Sequence, residues 1–229
     1  GFTIEHLDSY YIDGEPKRIR FQTPARELAV VTRRDQIQHP FLQPLHDWGA
    51  SVSHFEFGKT MGHQNLALAI KASQPPQETF ETDQVVPIFH AGKHRFRDAF
   101  VDAVKRDMAE VGYPLDDVKI SRPTHVIIPI PLPGDLVGLS AKETDLQCLT
   151  EQPSMAQGMF RSLSILIQLN YALLRRTPSC VLIDDIGEGL DFERSCQLID
   201  LLRRKARESA VQLVISTNDR FVMNKVPLE

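Results

Sequence analysis

The stretch VLIDDIGEGLD, residues 181–191, decides how the rest of the chain is read. Val181, Leu182 and Ile183 run directly into two acids, Asp184 and Asp185, and then into a glycine-bearing turn. A short apolar run of this kind, SCVLID at 179–184, is the pattern of a strand covered on both faces. When such a strand ends in acids, its carboxylates stand at the carboxyl edge of a parallel sheet, where open α/β folds bind ligands. In a nucleotide-hydrolysing site the first acid belongs to the magnesium shell, and the second orients or deprotonates the attacking water. Taken alone, the same pattern also arises as a strand followed by solvated turn acids.

Downstream, Asp191 is placed to cap a helix running to about Glu208, with Glu188 and Glu193 near its positive end. Val211 to Ser216 reads as a second buried strand. Upstream, Gly158 to Arg176 has a broad apolar face at helical spacing: Met159, Leu163, Leu166, Ile167, Leu169, Ala172 and Leu173. Helix, strand, helix, strand in this order predicts a parallel α/β sheet.

The first two thirds are less regular. FTIEHLDSYYI and KRIRF flank Asp13-Gly14, a turn dipeptide that tolerates positive φ, so residues 2–21 predict a β-hairpin. Strands are expected at Leu28–Thr32, Val52–Phe57 and Thr124–Ile130, the last followed by a turn at PLPGD. Helices are expected at His39–Gly49 and at His94–Val111, and residues 75–83 read as a polar, proline-bearing loop.

Length, an apolar fraction of 42% and a charged fraction of 24% describe an ordinary globular chain. A net charge of -4 gives no general attraction to nucleic acid or anionic lipid. Three cysteines far apart, Cys148, Cys180 and Cys196, fit reduced thiols in a cytoplasmic protein rather than a disulfide framework or zinc site. No apolar run has the length of a membrane span.

Three segments in order carry a resemblance: SMAQGMFRSLSILIQL (154–169), VLIDDIGEGLD (181–191) and VQLVISTND (211–219). Together they resemble the ABC/SMC/RecF-like ATPases, particularly the stand-alone bacterial AAA-type members. That family has a signature loop opening a helix, a Walker B strand, a D-loop, a helix, and a strand ending in a switch histidine. Asp184 stands seven residues before Asp191, the family's spacing from Walker B acid to D-loop aspartate. The resemblance spans about residues 153–220. It implies an ABC-type ATPase fold, a parallel sheet with antiparallel β-hairpins and an inserted helical segment around 58–123. It also implies one domain over 1–229, bound ATP and Mg2+, and a homodimer with nucleotide sandwiched between protomers.

Site residues follow from the same resemblance. Asp184 takes the magnesium position, Asp185 the base, and Asn218 the γ-phosphate sensor. Ala156, Gln157, Gly158 and Met159 form the signature loop, whose helix N-terminus faces a phosphate on the opposite subunit. Arg161 pairs with phosphate or a D-loop acid, and Asp191 bridges the dimer. Three positions depart from the family: Asp185 replaces the usual glutamate, Ala156 the signature serine, and Asn218 the switch histidine. Glu188 is a nearby acid that could partly compensate for the shorter Asp185.

A P-loop needs GxxxxGK[ST] between a strand and a helix. The sole GK[ST] is Gly58-Lys59-Thr60 within SHFEFGKT, where Ser53 replaces the first glycine and Phe55 and Phe57 crowd the loop. It reads as a false match. The expectation is that the P-loop segment precedes Gly1, where the chain begins without a Met. Histidines show no metal-ligand spacing, and the serines no hydrolase elbow. The cluster Lys93, His94, Arg95 and Arg97 reads as a solvated face at a helix start, and Trp48 as core or interface. The resulting function is ATP binding with hydrolysis, closing a dimer that controls an effector protein or a nucleic-acid transaction. The alternative is a nucleotide-sensing or scaffolding module without turnover.

Overall fold

The computed structural model describes residues 7–12, 15–19, 24, 26–32, 40–69, 81–124, 126, 134–176 and 179–224, with backbone alone at 7–12, 15–19, 69 and 221. Two compact units emerge, residues 1–52 and 53–229.

In the first unit, β1 (Leu7–Ile12) and β2 (Glu15–Ile19) pair antiparallel with Ile12 opposite Glu15, which is the expected hairpin. The Asp13-Gly14 turn itself lies outside the described residues. The LAVVT segment corrects the strand expectation: Ala29–Thr32 is a single helical turn, α1. Its amides at Val31 and Thr32 both bond back to Leu28 O, and Thr32 Oγ1 donates to the same carbonyl at 3.2 Å. β-branched residues favour strands only where a pleated partner exists, and here local bonds win. A 3₁₀ turn at Pro40–Leu42 leads into α2 (Gln43–Ala50), with Pro44 in its first turn where no backbone donor is needed. Trp48 is 53% exposed on α2, so it is not a core residue.

All of β3 (Val52–Glu56) but its first residue belongs to the second unit, and a short β4 (Ala67–Ala69) follows. The helix expected at 94–111 is α4 (Asp98–Glu110), and a further helix that was not expected, α3 (Val85–Phe96), precedes it. The break is Arg97, at φ 53°. It lets α4 fold back so that the Phe100 ring occupies the space over Gly92, where a Cβ would lie 2.6 Å from that ring. Phe96 and Phe100 keep helical spacing across the break, which is why the sequence places the helix start before it. Lys93, His94 and Arg95 therefore sit in the last turn of α3, where the helix dipole favours cations, not at a helix start.

Next come β5 (Leu115–Ser121), β6 (Asp135–Glu143) and β7 (Thr150–Glu151), all antiparallel, in a sheet of order β4-β6-β5 with β7 also on β6. Most of the strand expected at 124–130 lies outside the described residues; Thr124 and Val126 are not in a strand.

The last third follows the sequence in element order, but β9, expected as a buried strand, ends its sheet with Val214 50% exposed. A 3₁₀ turn at Gln152–Ser154 precedes α5 (Gln157–Arg175), then β8 (Ser179–Asp184), α6 (Phe192–Arg207), β9 (Val211–Ile215) and a short α7 (Arg220–Met223). β8 and β9 are parallel and in register, Ser179 opposite Val211 through Ile183 opposite Ile215. The sheet order is β3-β8-β9. Parallel and antiparallel strands with flanking helices meet the α/β expectation. α5 is the core helix of this unit, buried nearly all round: Phe160, Leu163, Ile165, Leu166 and Ile167 are fully enclosed. Its buried Asn170 donates to Asp107 Oδ2 on α4 at 2.6 Å, and Lys205 on α6 reaches the same oxygen at 2.7 Å.

Candidate functional site

Because β8 lies between β3 and β9, its carboxyl end is flanked on both sides. On the β9 side, Ser216 N donates to Ile183 O and Ile186 N donates to Ser216 O, so the two chains stay stitched beyond the last strand residues. The Ser216 hydroxyl donates to Asp184 Oδ1, and the Asp185 amide donates to that hydroxyl at 3.0 Å. Asn218 Nδ2 donates to Asp185 Oδ1 at 2.5 Å. Two consecutive carboxylates are thus each held by one side chain from the neighbouring strand end. Asp185 takes φ 53°, a left-handed conformation that aspartate tolerates better than most residues and that tends to cluster at functional sites.

On the β3 side, Phe57 N donates to Asp184 O at 2.9 Å, so β3 ends at the same edge as β8. The segment Gly58-Lys59-Thr60, set aside in the sequence as a false P-loop, therefore borders the acids. Lys59 pairs with Glu56 at 2.6 Å on the exposed surface.

The start of α5 closes a further side. Ala156 occupies the N-cap position with no side-chain cap, so the first-turn amides of Gln157 and Gly158 have no side-chain acceptor there. Gly158 is buried against Gly189, whose carbonyl would lie 2.3 Å from a Cβ at 158. Met159 points into the core at 2% exposure, leaving its backbone as its only contribution to this surface. Arg161, also buried, donates Nη1 to Glu188 O at 2.7 Å, Nε to Lys59 O at 3.1 Å and Nη2 to Gly58 O at 3.2 Å. Burial pushes this guanidinium below its ordinary value, and Glu188 acts in the opposite direction. The Glu188 carboxylate lies over Gly58, with Oε2 2.4 Å from where a Cβ would stand.

Asp191 caps α6 as its sequence position predicts, accepting from Arg194 N at 2.9 Å and also from Arg194 Nη1 at 2.5 Å. The Arg194 amide, then its side chain, hold this carboxyl below the usual range.

Of the residues chosen from sequence, the structure brings Asp184, Asp185 and Asn218 into one cluster at the strand ends. Gly158, Arg161 and Glu188 meet in a second, adjoining one, and Asp191 faces Arg194. Ser216 was missed, although a hydroxyl at the end of VISTND was the available signal. An open groove of about 1100 Å³ runs between α6 and β9, lined by Ile199, Leu213, Ile215 and Met223 among others. Among the described residues no acidic one lines it, and it meets the strand ends at Thr217.

Asp184 is exposed, and only one of its oxygens is engaged among the described residues. Magnesium is commonly held by one or two carboxylates, with waters and substrate phosphates completing the shell. No cluster of three or more His, Cys, Asp or Glu suited to a metal occurs among the described residues. A one-carboxylate magnesium site does not need such a cluster, and Asp184 with the Ser216 hydroxyl fits it.

No family model matches the chain, and no curated protein matches it. Solved structures to which it is similar are heads of SMC proteins. One is the SmcHead bound to the C-winged helix domain of ScpA, 15% identical, TM-score 0.47, over 76% of this chain and 49% of that one. Another is the Smc head domain with a coiled coil and joint derived from Pyrococcus yayanosii, 19% identical, TM-score 0.42, over 58% of this chain and 24% of that one. A third comes from work on ATP-driven dimerization and DNA stimulated activation of SMC ATPases, 20% identical, TM-score 0.39, over 58% of this chain and 78% of that one. The chain thus spans a quarter to a half of the first two. At this level of likeness, function has to be argued from the chain's own residues. No helix among the described residues is long and apolar enough to cross a membrane.

Proposed function

We propose that this chain supplies the carboxylate side of a magnesium–ATP site in an ABC/SMC/RecF-like ATPase. The observation that carries this is the acid pair Asp184–Asp185 at the carboxyl edge of a parallel sheet, each acid held by a side chain from the next strand end, Ser216 and Asn218. Asp184 and the Ser216 hydroxyl would hold Mg2+, which when bound would neutralise charge on the phosphates. Asp185 would receive the proton of the attacking water, and Asn218, already on Asp185 Oδ1, would orient that carboxylate and reach a phosphate oxygen. The uncapped amides at 157–158 would bind the phosphate of a nucleotide held by a second protomer, with Asp191 near the dimer seam. The partner is thus a second copy of the chain, and closure of that dimer would act on an effector protein or on nucleic acid.

A second reading, a sensor that binds nucleotide without turnover, is favoured by one specific contact. The Asp185 carboxylate is short and already committed to Asn218. Titration of the protein with Mg-ATP, following affinity, phosphate release and mass together, tests both. Binding, dimer formation and turnover that Asp185→Ala abolishes support the ATPase. Binding and dimer formation without phosphate release support the sensor. Absence of Mg-ATP binding rules out both.

A further inference from the structure

We propose that Arg161 is a positioning residue, a latch that fixes the two loops flanking the acid pair as one body. This rests on the reading of Asp184 and Asp185 as a ligand-binding edge, but the latch itself is visible in the contacts. Arg161 leaves the first turn of α5 and is 5% exposed. Its three donated bonds end on carbonyls of two different loops: Gly58 and Lys59 after β3, and Glu188 after β8. Its guanidinium also lies 5.8 Å from the centre of the buried Phe57 ring. Phe57 is the residue whose amide bonds Asp184 O, so the loop Arg161 grips is the one joined directly to the first acid.

Three further features fit a latch better than general packing. A buried guanidinium is tolerated when its fork is satisfied, and carbonyls at three of its nitrogens do this without a carboxylate hydrogen bond. Glycine stands at the tight approaches: a Cβ at Gly189 would lie 2.9 Å from Arg161 Nη1, and one at Gly158 would strike Gly189 O. The Glu188 carboxylate, folded over Gly58, keeps an anion beside the buried cation and packs the loop after β8 against the loop after β3. Arg161 therefore contributes through the loops. Its donors are used on backbone, and the acids receive their geometry from where those loops are held.

The test is amide hydrogen exchange on wild type, Arg161→Lys, Arg161→Gln and Gly189→Ala, with Mn2+ alone titrated by its paramagnetic signal. The reporting amides are Lys59, bonded to Glu56 O, and Leu190, bonded to Gly187 O; Leu182 in β8 is the control. Loss of charge-assisted bonds predicts exchange faster by roughly tenfold to a hundredfold at both reporters in both Arg161 variants. Leu182 should stay unchanged, and lysine should restore part of the glutamine variant's loss. Gly189→Ala, which crowds the guanidinium at 2.9 Å but also strains a φ of 81° beside Leu190, is read at Lys59 alone, which should loosen. If only one loop accelerates in the Arg161 variants, or neither, or if Leu182 accelerates as much, Arg161 is packing and the latch is refuted. If the latch pattern appears but wild type does not bind Mn2+, the metal-site reading fails and the latch stands. If both hold, Mn2+ affinity should fall with the exchange change across the variants.

Discussion

Ser216→Ala is the sharpest test of how the acids are held. The hydroxyl makes two bonds in opposite senses: it donates to Asp184 Oδ1 and accepts from the Asp185 amide at 3.0 Å. Ser216 is exposed, so water can replace both partners, and the stability loss should be modest, about 0.5–1.5 kcal/mol. The effect on ligand binding should be larger. Groups that orient a metal-binding carboxylate typically change affinity by about 10–100-fold when removed. That range corresponds to about 1.4–2.8 kcal/mol. Urea unfolding gives the first number and titration with Mn2+ or Mg-ATP the second. Thr217→Val is the matched control. Thr217 Oγ1 donates to Ile186 O at 3.2 Å and touches neither acid, so a similar stability loss should leave affinity intact. Ser216→Ala with divalent affinity within about twofold of wild type would refute the reasoning, since a true orienting partner costs at least tenfold. Equal loss in Thr217→Val would refute it too.

Elsewhere, the Asp107–Lys205–Asn170 triangle joins α4, α6 and α5 with Asp107 and Lys205 side chains only 3% and 14% exposed. Removing one charge, as in Asp107→Ala, should therefore destabilise by about 3–5 kcal/mol in urea unfolding. Replacing both, Asp107→Leu with Lys205→Met, should recover most of that loss. Asp191→Ala should lose about 1 kcal/mol of cap energy at neutral pH. Because Arg194 lowers the folded pKa of Asp191, its stabilisation is present above the ordinary carboxylate value of 3.8 and lost as pH falls through the folded value. The gap between wild type and variant should therefore close in acid unfolding curves. Gly158→Ala places a Cβ 2.3 Å from Gly189 O, a backbone atom with little room to move. It should destabilise by about 1–3 kcal/mol, measured in urea.

The last third of the chain was legible because each element there agrees with its own local signals. Asp191 caps α6, α5 keeps its apolar period through the core, and β8 and β9 are short apolar runs with acid or polar ends. The middle was not, for reasons seen at particular residues. β5 carries a register shift between Leu115 and Asp117, so Leu115 and Val118 both face the core and the alternation that marks a strand is lost. Phe96 and Phe100 keep helical spacing across the α3–α4 break, and the feature that separates the helices is a single arginine at positive φ whose identity gives no warning. At the site, the acids were legible as a motif. The role of Gly58-Lys59-Thr60 was not, because the bond that gives that loop its place joins Phe57 to Asp184, 127 residues further on.

The residue type at 185 has a backbone explanation as well as a chemical one. The amides of Asp185 and Ile186 both turn onto Ser216, one to its hydroxyl and one to its carbonyl, and that turn across the end of β9 puts residue 185 at φ 53°. Among non-glycine residues, aspartate and asparagine enter this region far more readily than glutamate. The contacts that fix the acid pair therefore select a short side chain at 185. A longer carboxylate would gain reach toward a water but would strain the turn that holds Asp184 in place. Asn218 fits the same geometry, since its amide meets a short carboxylate at 2.5 Å across the strand ends. Under the ABC-type reading proposed above, the departures from that family's pattern at 185 and 218 are one linked feature. On the proposed ATPase reading, a pair that grips itself this closely would hold the edge in shape at the expense of the reach that fast hydrolysis requires.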